Sequence, residues 1–466
     1  MLHRRDAMIR LGQLGAGTLA LPTLLEGRAT PASPPARHGG TADSCIYLFL
    51  WGGPPQHDTF DLKPDAPADI RGEFQPIKTN VPGIDICEKL PQLARLADKY
   101  ALVRSLTHPS NNHEPSVQYM LSGRPGAPNL AVPMNQRKRS DFPNIGSVIS
   151  YFRPPSDLPT AVTVPRPIGH SGVTYTGTYG GFLGPKHDPL ERAAASDTRE
   201  VATHALDPLP DMPESRMAAR TGLLKQLERT DAALQKTGSA PGGSSGVEEF
   251  REQALRMVSN PAVRQAFDLT REPDRVRDRY GRNEYGESFL LSRRLVEAGV
   301  SLITISWMYI FPGGRVSNVW DNHSGLGIYG SKTGFDLLRS PVCLPPLDQG
   351  LSALIEDLID RGLFDRTLIA AAGEFGRTPK VNKDGGRDHW GACQSALFAG
   401  GGIRGGQVYG KSDKFAAYPT DNPISPTDFL ATIYHALGVD PEGEIRDREN
   451  RPYRVCEGKP VAALFG

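Results

Sequence analysis

The feature that most restricts the fold of this chain is a short apolar run, Cys45-Ile46-Tyr47-Leu48-Phe49-Leu50, that stops at Gly52-Gly53-Pro54-Pro55. This is the signature of a buried strand and of the loop at its carboxyl end. The pattern recurs late in the chain, over residues 300–307 and 367–372, and each of these runs follows a helical stretch, at 285–298 and 351–361. Helices alternating with buried strands predict an α/β fold with a largely parallel sheet. The ligand sites of such a sheet lie beyond the carboxyl ends of its strands. Between these segments, 214–236 and 247–258 read as helices, split by a Gly- and Ser-rich surface loop at 237–246.

Composition narrows the function classes. Lys+Arg 53 against Asp+Glu 52 leaves no surplus charge to hold a polyanion, so nucleic acid is not an expected partner. Gly 50 and Pro 41 are both high, which points to many loops around a real core. At the N-terminus, His3-Arg4-Arg5-Asp6 precedes an uncharged stretch from Leu11 to Leu25. That stretch is short for a membrane span and resembles the core of a twin-arginine export signal over residues 1–29. Residues 30–43 read as a linker, and 44–466 as one folded domain. The expected location is the periplasm or cell envelope, with no stable span in the mature chain. Five scattered cysteines without a Cys-x-x-Cys pair argue against a structural zinc site.

Four loops carry ligand-type residues at predicted strand ends. They are Gln56-His57-Asp58-Thr59-Phe60-Asp61, Trp320-Asp321-Asn322-His323, Gly373-Glu374-Phe375-Gly376-Arg377, and Gly386-Arg387-Asp388-His389-Trp390. Carboxylates mixed with imidazoles suit a divalent zinc, manganese or iron ion better than calcium, which prefers oxygen alone. Asp58, Asp321, His323, Glu374 and His389 are the candidate ligands. Taken singly, a loop Asp is more often a turn former and a loop His a hydrogen-bonded surface residue; it is the recurrence in four loops that favours a metal centre. A fifth group, Pro109-Ser110-Asn111-Asn112-His113-Glu114-Pro115-Ser116, opens a predicted helix, whose N-terminus favours bound anions. Asn112 is accordingly a candidate substrate contact, unless it or His113 merely caps the helix. Arg124, Arg377 and Arg387 are candidate anion clamps, since a guanidinium matches a tetrahedral oxyanion in a bidentate way.

These residues also carry a resemblance. His113-Glu114-Pro115-Ser116, followed by Leu121-Ser122-Gly123-Arg124, is similar to the sulfatase signature, and His113 falls on the position of that family's nucleophile. The stretch 351–377 resembles the sulfatase helix and strand that lead into a metal loop. The whole mature chain resembles the DUF1501 family, related to the alkaline phosphatase and sulfatase superfamily, through Gly52-Gly53-Pro54, Asp58-Thr59-Phe60-Asp61, Trp320-Asp321-Asn322-His323, the segments 373–379 and 386–390, and the glycines of 400–406. The resemblance implies an alkaline phosphatase/sulfatase-like sandwich with a mostly parallel sheet flanked by helices. It further implies a metal-dependent hydrolase acting on a small sulfate or phosphate ester, with Arg377 and His113 in the catalytic set. An imidazole cannot become the hydrated aldehyde of a sulfatase, so His113 would serve as nucleophile, acid or base, or metal ligand. The superfamily's metal Asp after the first strand is missing, and Phe375 stands where an Asn or His ligand would be. These departures raise the alternative of a catalytically degenerate member that binds a sulfated or phosphorylated glycan, or a protein partner.

Overall fold

The apolar run forms β1, Ser44–Phe49, buried at every position. Its side chains divide between two cores. Ile46 and Leu48, with Leu50 just beyond, enter one; Cys45, Tyr47 and Phe49, with Trp51, enter the other. A strand covered on both faces has no polar side to present, which is why the run is apolar throughout. The computed structural model describes residues 40–125, 137–154, 156–170, 173–191, 260–311 and 315–466, with isolated positions 219 and 222. The expected export segment, most of the linker and the 237–246 loop lie outside the described residues, as do nearly all of the two helical stretches that flank that loop.

Seven more strands join β1 in one sheet: β2 Tyr100–Leu106, β3 Ala161–Val164, β4 Leu190–Glu191, β5 Leu302–Ser306, β6 Thr367–Ala372, β7 Gln394–Ala399 and β8 Gln407–Tyr409. Their order across the sheet is β8-β2-β7-β6-β1-β5-β3-β4. β1 pairs in parallel with β6 and β5, β5 with β3, β3 with β4, and β8 with β2. Only β7 is reversed, running antiparallel to β6 and β2. The sheet is therefore mostly parallel, as the sequence predicts.

Helices cover both faces. α1 is His113–Ser122, α2 Ile145–Phe152, α3 Glu284–Ala298, α4 Leu344–Asp360 and α5 Pro426–Ala436. α3 and α4 bury Phe289, Leu295, Leu351 and Leu358 in the first core. α1, α2 and α5 bury Val117, Met120, Val148, Phe429 and Ile433 in the second. α4 starts earlier than its periodicity suggests because Pro345 and Pro346 stand in its first turn, where a missing N–H costs nothing. Among the described residues no helix is long and apolar enough to cross a membrane. Ahead of β1, the Ala42 N–H donates to the Ala436 carbonyl (2.8 Å) and the Asp43 N–H to that of Arg366 (2.9 Å).

The order β6-β1-β5 sets three loops side by side at the carboxyl edge of the sheet. The chain leaves β1 through Gly52 (φ 118°) and Gly53 (φ 83°), a region of φ that side chains with a β-carbon rarely adopt. A β-carbon on Gly52 would lie 2.3 Å from the Asp321 backbone nitrogen, and one on Gly373 would lie 2.4 Å from Pro54 Cδ. The loops after β1, β5 and β6 thus touch backbone to backbone, and the ligand-type residues they carry are forced together.

Candidate metal centre

Asp321, in the loop after β5, is the focus of a convergent cluster. Its Oδ1 lies 3.1 Å from His389 Nε2 and 3.0 Å from His323 Nε2, and its Oδ2 lies 3.3 Å from His113 Nε2. His323 and His389 approach to 2.8 Å between their Nε2 atoms. The other nitrogen of each ring is anchored outward. His113 Nδ1 is 2.6 Å from Glu374 Oε1, His323 Nδ1 is 2.8 Å from Asp388 Oδ1, and His389 Nδ1 is 2.8 Å from the Asn111 carbonyl oxygen. With Nδ1 engaged outward, each ring turns its Nε2 inward to the cluster, the arrangement by which metal-binding imidazoles are oriented.

Local structure fixes each of these rings. His113 is the first residue of α1, which stops at Gly123 in the left-handed region (φ 70°). The loop leading into α1 is tied to the neighbouring loops: the His108 N–H donates to the Gly391 carbonyl (2.9 Å) and the Gly391 N–H to Asn111 Oδ1 (2.6 Å). His108 Nε2 also lies 2.6 Å from the Glu374 carbonyl oxygen. Gly376–Arg377 and His389–Trp390 form a two-stranded ribbon in which Arg377 and His389 sit opposite one another, so both reach Asp321. Phe375 is fully buried and closes one side, its ring centroid 5.0 Å from that of His113 and 4.4 Å from that of His389.

The donor set fits a transition-metal ion. His113, Asp321 and His389 each offer one ligand atom, all within 4.8 Å of one another. A tetrahedral ion with bonds of about 2.0–2.1 Å separates its ligand atoms by about 3.3 Å. The Asp321 contacts, 3.3 Å from Oδ2 to His113 and 3.1 Å from Oδ1 to His389, are of that order. Electrostatics point the same way. Burial disfavours the Asp321 carboxylate, yet hydrogen bonds from the three imidazoles and the Arg377 charge hold its pKa far below the ordinary value. Burial likewise opposes charge on His113, but Asp321 and Glu374 outweigh it and raise that imidazole to about 9. His323 is raised mainly by its hydrogen bond to Asp321, whereas burial lowers His389. Asp321 and Glu374 together therefore stabilise a positive charge at His113.

Not every expected site residue belongs to this group. The structure brings together His113, Asp321, His323, Glu374, His389 and Arg377, with Asn112 as the exposed residue just before α1, its side chain making no cap bond. Asp58, expected as a ligand, is instead fully buried in an ion pair with Arg387, at 2.7 Å from Nε to Oδ2 and 3.2 Å from Nη2 to Oδ1. Both of its oxygens are thereby committed. Arg387, expected as an anion clamp, gives its remaining donors to the carbonyls of Ile70, Thr378 and Pro379. Arg377 is also fully buried. It donates to Asp321 Oδ1 (2.6 Å), to the Gly53 carbonyl (2.9 Å), to the Arg387 carbonyl (3.0 Å) and to those of Gly52 and Trp320. It holds Asp321 in place rather than reaching toward a substrate. Arg124 stands past the far end of α1 and bonds Glu457 (2.8 Å) and the Arg454 carbonyl (3.1 Å).

Sequence reasoning missed Asn318, whose amide donates to His113 Nε2 (3.3 Å), and the orienting roles of Asn111, His108 and Asp388. Asp388 and His108 carried a usable signal, one beside His389 and the other in the loop of His113; Asn318 carried none. The backbone contact under Asp321 yields a first expected outcome. Gly52→Ala, with its strained φ and its β-carbon driven into the Asp321 nitrogen, should destabilise the protein by more than about 1 kcal/mol and weaken metal binding. Urea unfolding and metal titration of the variant check this.

The family described as "Protein of unknown function (DUF1501)" matches residues 42–465. A search of curated proteins finds no match. Among solved structures, the phosphonate monoester hydrolase from Silicibacter pomeroyi is 13% identical, covering 91% of this chain and 76% of its own, with a TM-score of 0.37. A sulfatase from Pseudoalteromonas sp. is 14% identical, covering 85% and 68%, with a TM-score of 0.36. A lipoteichoic acid synthase from Listeria monocytogenes is 10% identical, covering 86% and 73%, with a TM-score of 0.34. Likeness at this level says nothing of what this chain acts on.

Proposed function

Because the chain belongs to the DUF1501 family, whose description assigns no reaction, we propose from the geometry of its own site that it is an exported, metal-dependent hydrolase of sulfate or phosphate esters. The observation that supports this reading most is the outward anchoring of three imidazoles by Nδ1 around one carboxylate, at the carboxyl edge of a parallel sheet. His113, Asp321 and His389 would hold the ion, with His323 beside them. Zinc, manganese or iron is the expected occupant. Such an ion supplies Lewis-acid polarisation of a sulfate or phosphate oxygen.

The chain's own residues do the rest. Arg377 holds Asp321 in place, and Phe375 excludes water from the side of the cluster it covers. α1 directs its N-terminus at the centre, where peptide dipoles favour an anion, and the exposed Asn112 stands at that end. His113 is assigned to the donor set rather than to nucleophilic attack, since its Nδ1 is held by Glu374 and its Nε2 faces Asp321. Asp58 and Arg387 are assigned to the scaffold. The resemblance of residues 1–29 to a twin-arginine export signal is what supports a periplasmic or cell-envelope location in this reading.

One observation favours a second reading, in which the chain binds a sulfated or phosphorylated glycan, or a protein partner, without turning it over. Phe375 is fully buried against His113 and His389 where an Asn or His ligand would stand, which leaves the ligand set incomplete for turnover. The test is a panel of aryl sulfates and phosphates offered to metal-stripped and metal-loaded protein. Turnover confined to the loaded form is the expected result. Binding of a sulfated or phosphorylated oligosaccharide with no turnover would select the second reading.

A further inference from the structure

We propose that Glu374 is a positioning residue, which sets the ring orientation of His113 so that Nε2 faces the cluster, without itself touching the metal. The inference rests on the reading above that the cluster holds a divalent ion. Glu374 lies in the loop after β6 and is fully buried. Its Oε1 is 2.6 Å from His113 Nδ1, and both of its carboxylate oxygens are 3.0 Å from the Gly52 N–H. Nδ1 and Nε2 point to different sides of an imidazole, so a carboxylate bonded at Nδ1 stands away from an ion bound at Nε2. Consistently, Glu374 is absent from the group of ligand atoms that lie within 4.8 Å of one another.

Glu374 is gripped at both ends. Its carboxylate takes the Gly52 N–H at the exit of β1, and its carbonyl oxygen is 2.6 Å from His108 Nε2 in the loop that enters α1. Gly52 in turn gives its carbonyl to Arg377, which holds Asp321. One turn of backbone therefore fixes two of the three inner ligands, Asp321 through Arg377 and His113 through Glu374. A buried carboxylate behind a ligating imidazole also makes the ring a stronger donor, and loss of such a partner costs about 10–100-fold in metal affinity.

The experiment compares full-length wild type, Glu374→Ala and Glu374→Gln. Each is stripped of metal and titrated with zinc(II) and cobalt(II) against a chromophoric chelator, with circular dichroism and thermal melting as controls of folding. Glu374→Ala should lose about 10–100-fold in affinity. Glu374→Gln, whose amide oxygen can still accept from Gly52 and His113, should stay within about tenfold of wild type and keep the wild-type cobalt spectrum. If Glu374 were a ligand, glutamine would fall as far as alanine and the cobalt spectrum would change; that result overturns the proposal. So does a folded Glu374→Ala that binds as tightly as wild type. If alanine does not fold, the glutamine affinity and spectrum decide. Failure of the wild type to bind either ion would instead refute the metal reading itself.

Discussion

Asp58→Ala is expected to lower the unfolding free energy by about 3–5 kcal/mol, the loss that follows when one partner of a buried ion pair is removed and the other is left without its counter-charge. Asp58 and Arg387 have no exposed side-chain surface, and they meet through two contacts at 2.7 Å and 3.2 Å. Without the carboxylate, the guanidinium keeps only the carbonyls of Ile70, Thr378 and Pro379, which carry no net charge to balance it. Burial pushes the Asp58 carboxyl above its ordinary pKa, and the guanidinium offsets only part of that cost. The pair is therefore an expensive feature whose removal as a unit should be milder than the loss of either member. Denaturant unfolding should show Asp58→Leu combined with Arg387→Met losing well under the sum of the two single losses. A single-variant loss below about 1 kcal/mol would show that the pair is not a structural anchor.

Asp321→Asn is expected to weaken metal binding by more than about a hundredfold, beyond the 10–100-fold that an orienting partner alone is worth. Three imidazoles and one guanidinium converge on this carboxylate, and it supplies the only anionic atom among the inner donors His113, Asp321 and His389. Asparagine preserves the shape and one oxygen but removes the charge that balances both Arg377 and a bound cation. The change should appear in chelator-competition titrations. It should also lower stability, because the buried Arg377 guanidinium loses its only carboxylate partner among the described residues. Unaltered zinc affinity in a folded Asp321→Asn protein would exclude Asp321 from the ligand set.

The legible part of the sequence was the part governed by local pattern. Buried strands announce themselves as unbroken apolar runs, and β1, β5 and β6 emerged from that signal with the loops that follow them. The positions of Asp321, His323, Glu374 and His389 at strand exits followed from the same rule. What could not be read was which residue faces which. Asp58 pairs with Arg387 across 329 positions of sequence, and a motif of His and Asp beside a strand end looks the same whether its carboxylate meets a metal or a guanidinium. Arg377 was legible as a cation near the site but not as one whose donors are spent on Gly52, Gly53, Trp320 and Asp321. Glu374 stood in the right loop, yet its distance from the metal depends on Gly52 and on the ring of His113, both brought in by tertiary contacts. Asn318 had no distinguishing pattern at all.

The central claim is that the cluster around Asp321 is a metal centre. Its most direct test is elemental analysis of the purified full chain after equilibration with a mixture of zinc, manganese and iron salts and removal of free ions, alongside His389→Ala handled identically. The account predicts about one transition-metal ion per wild-type chain and a clear deficit in the variant. A wild-type chain that retains no transition metal, or a His389→Ala chain that retains as much as wild type, would contradict it.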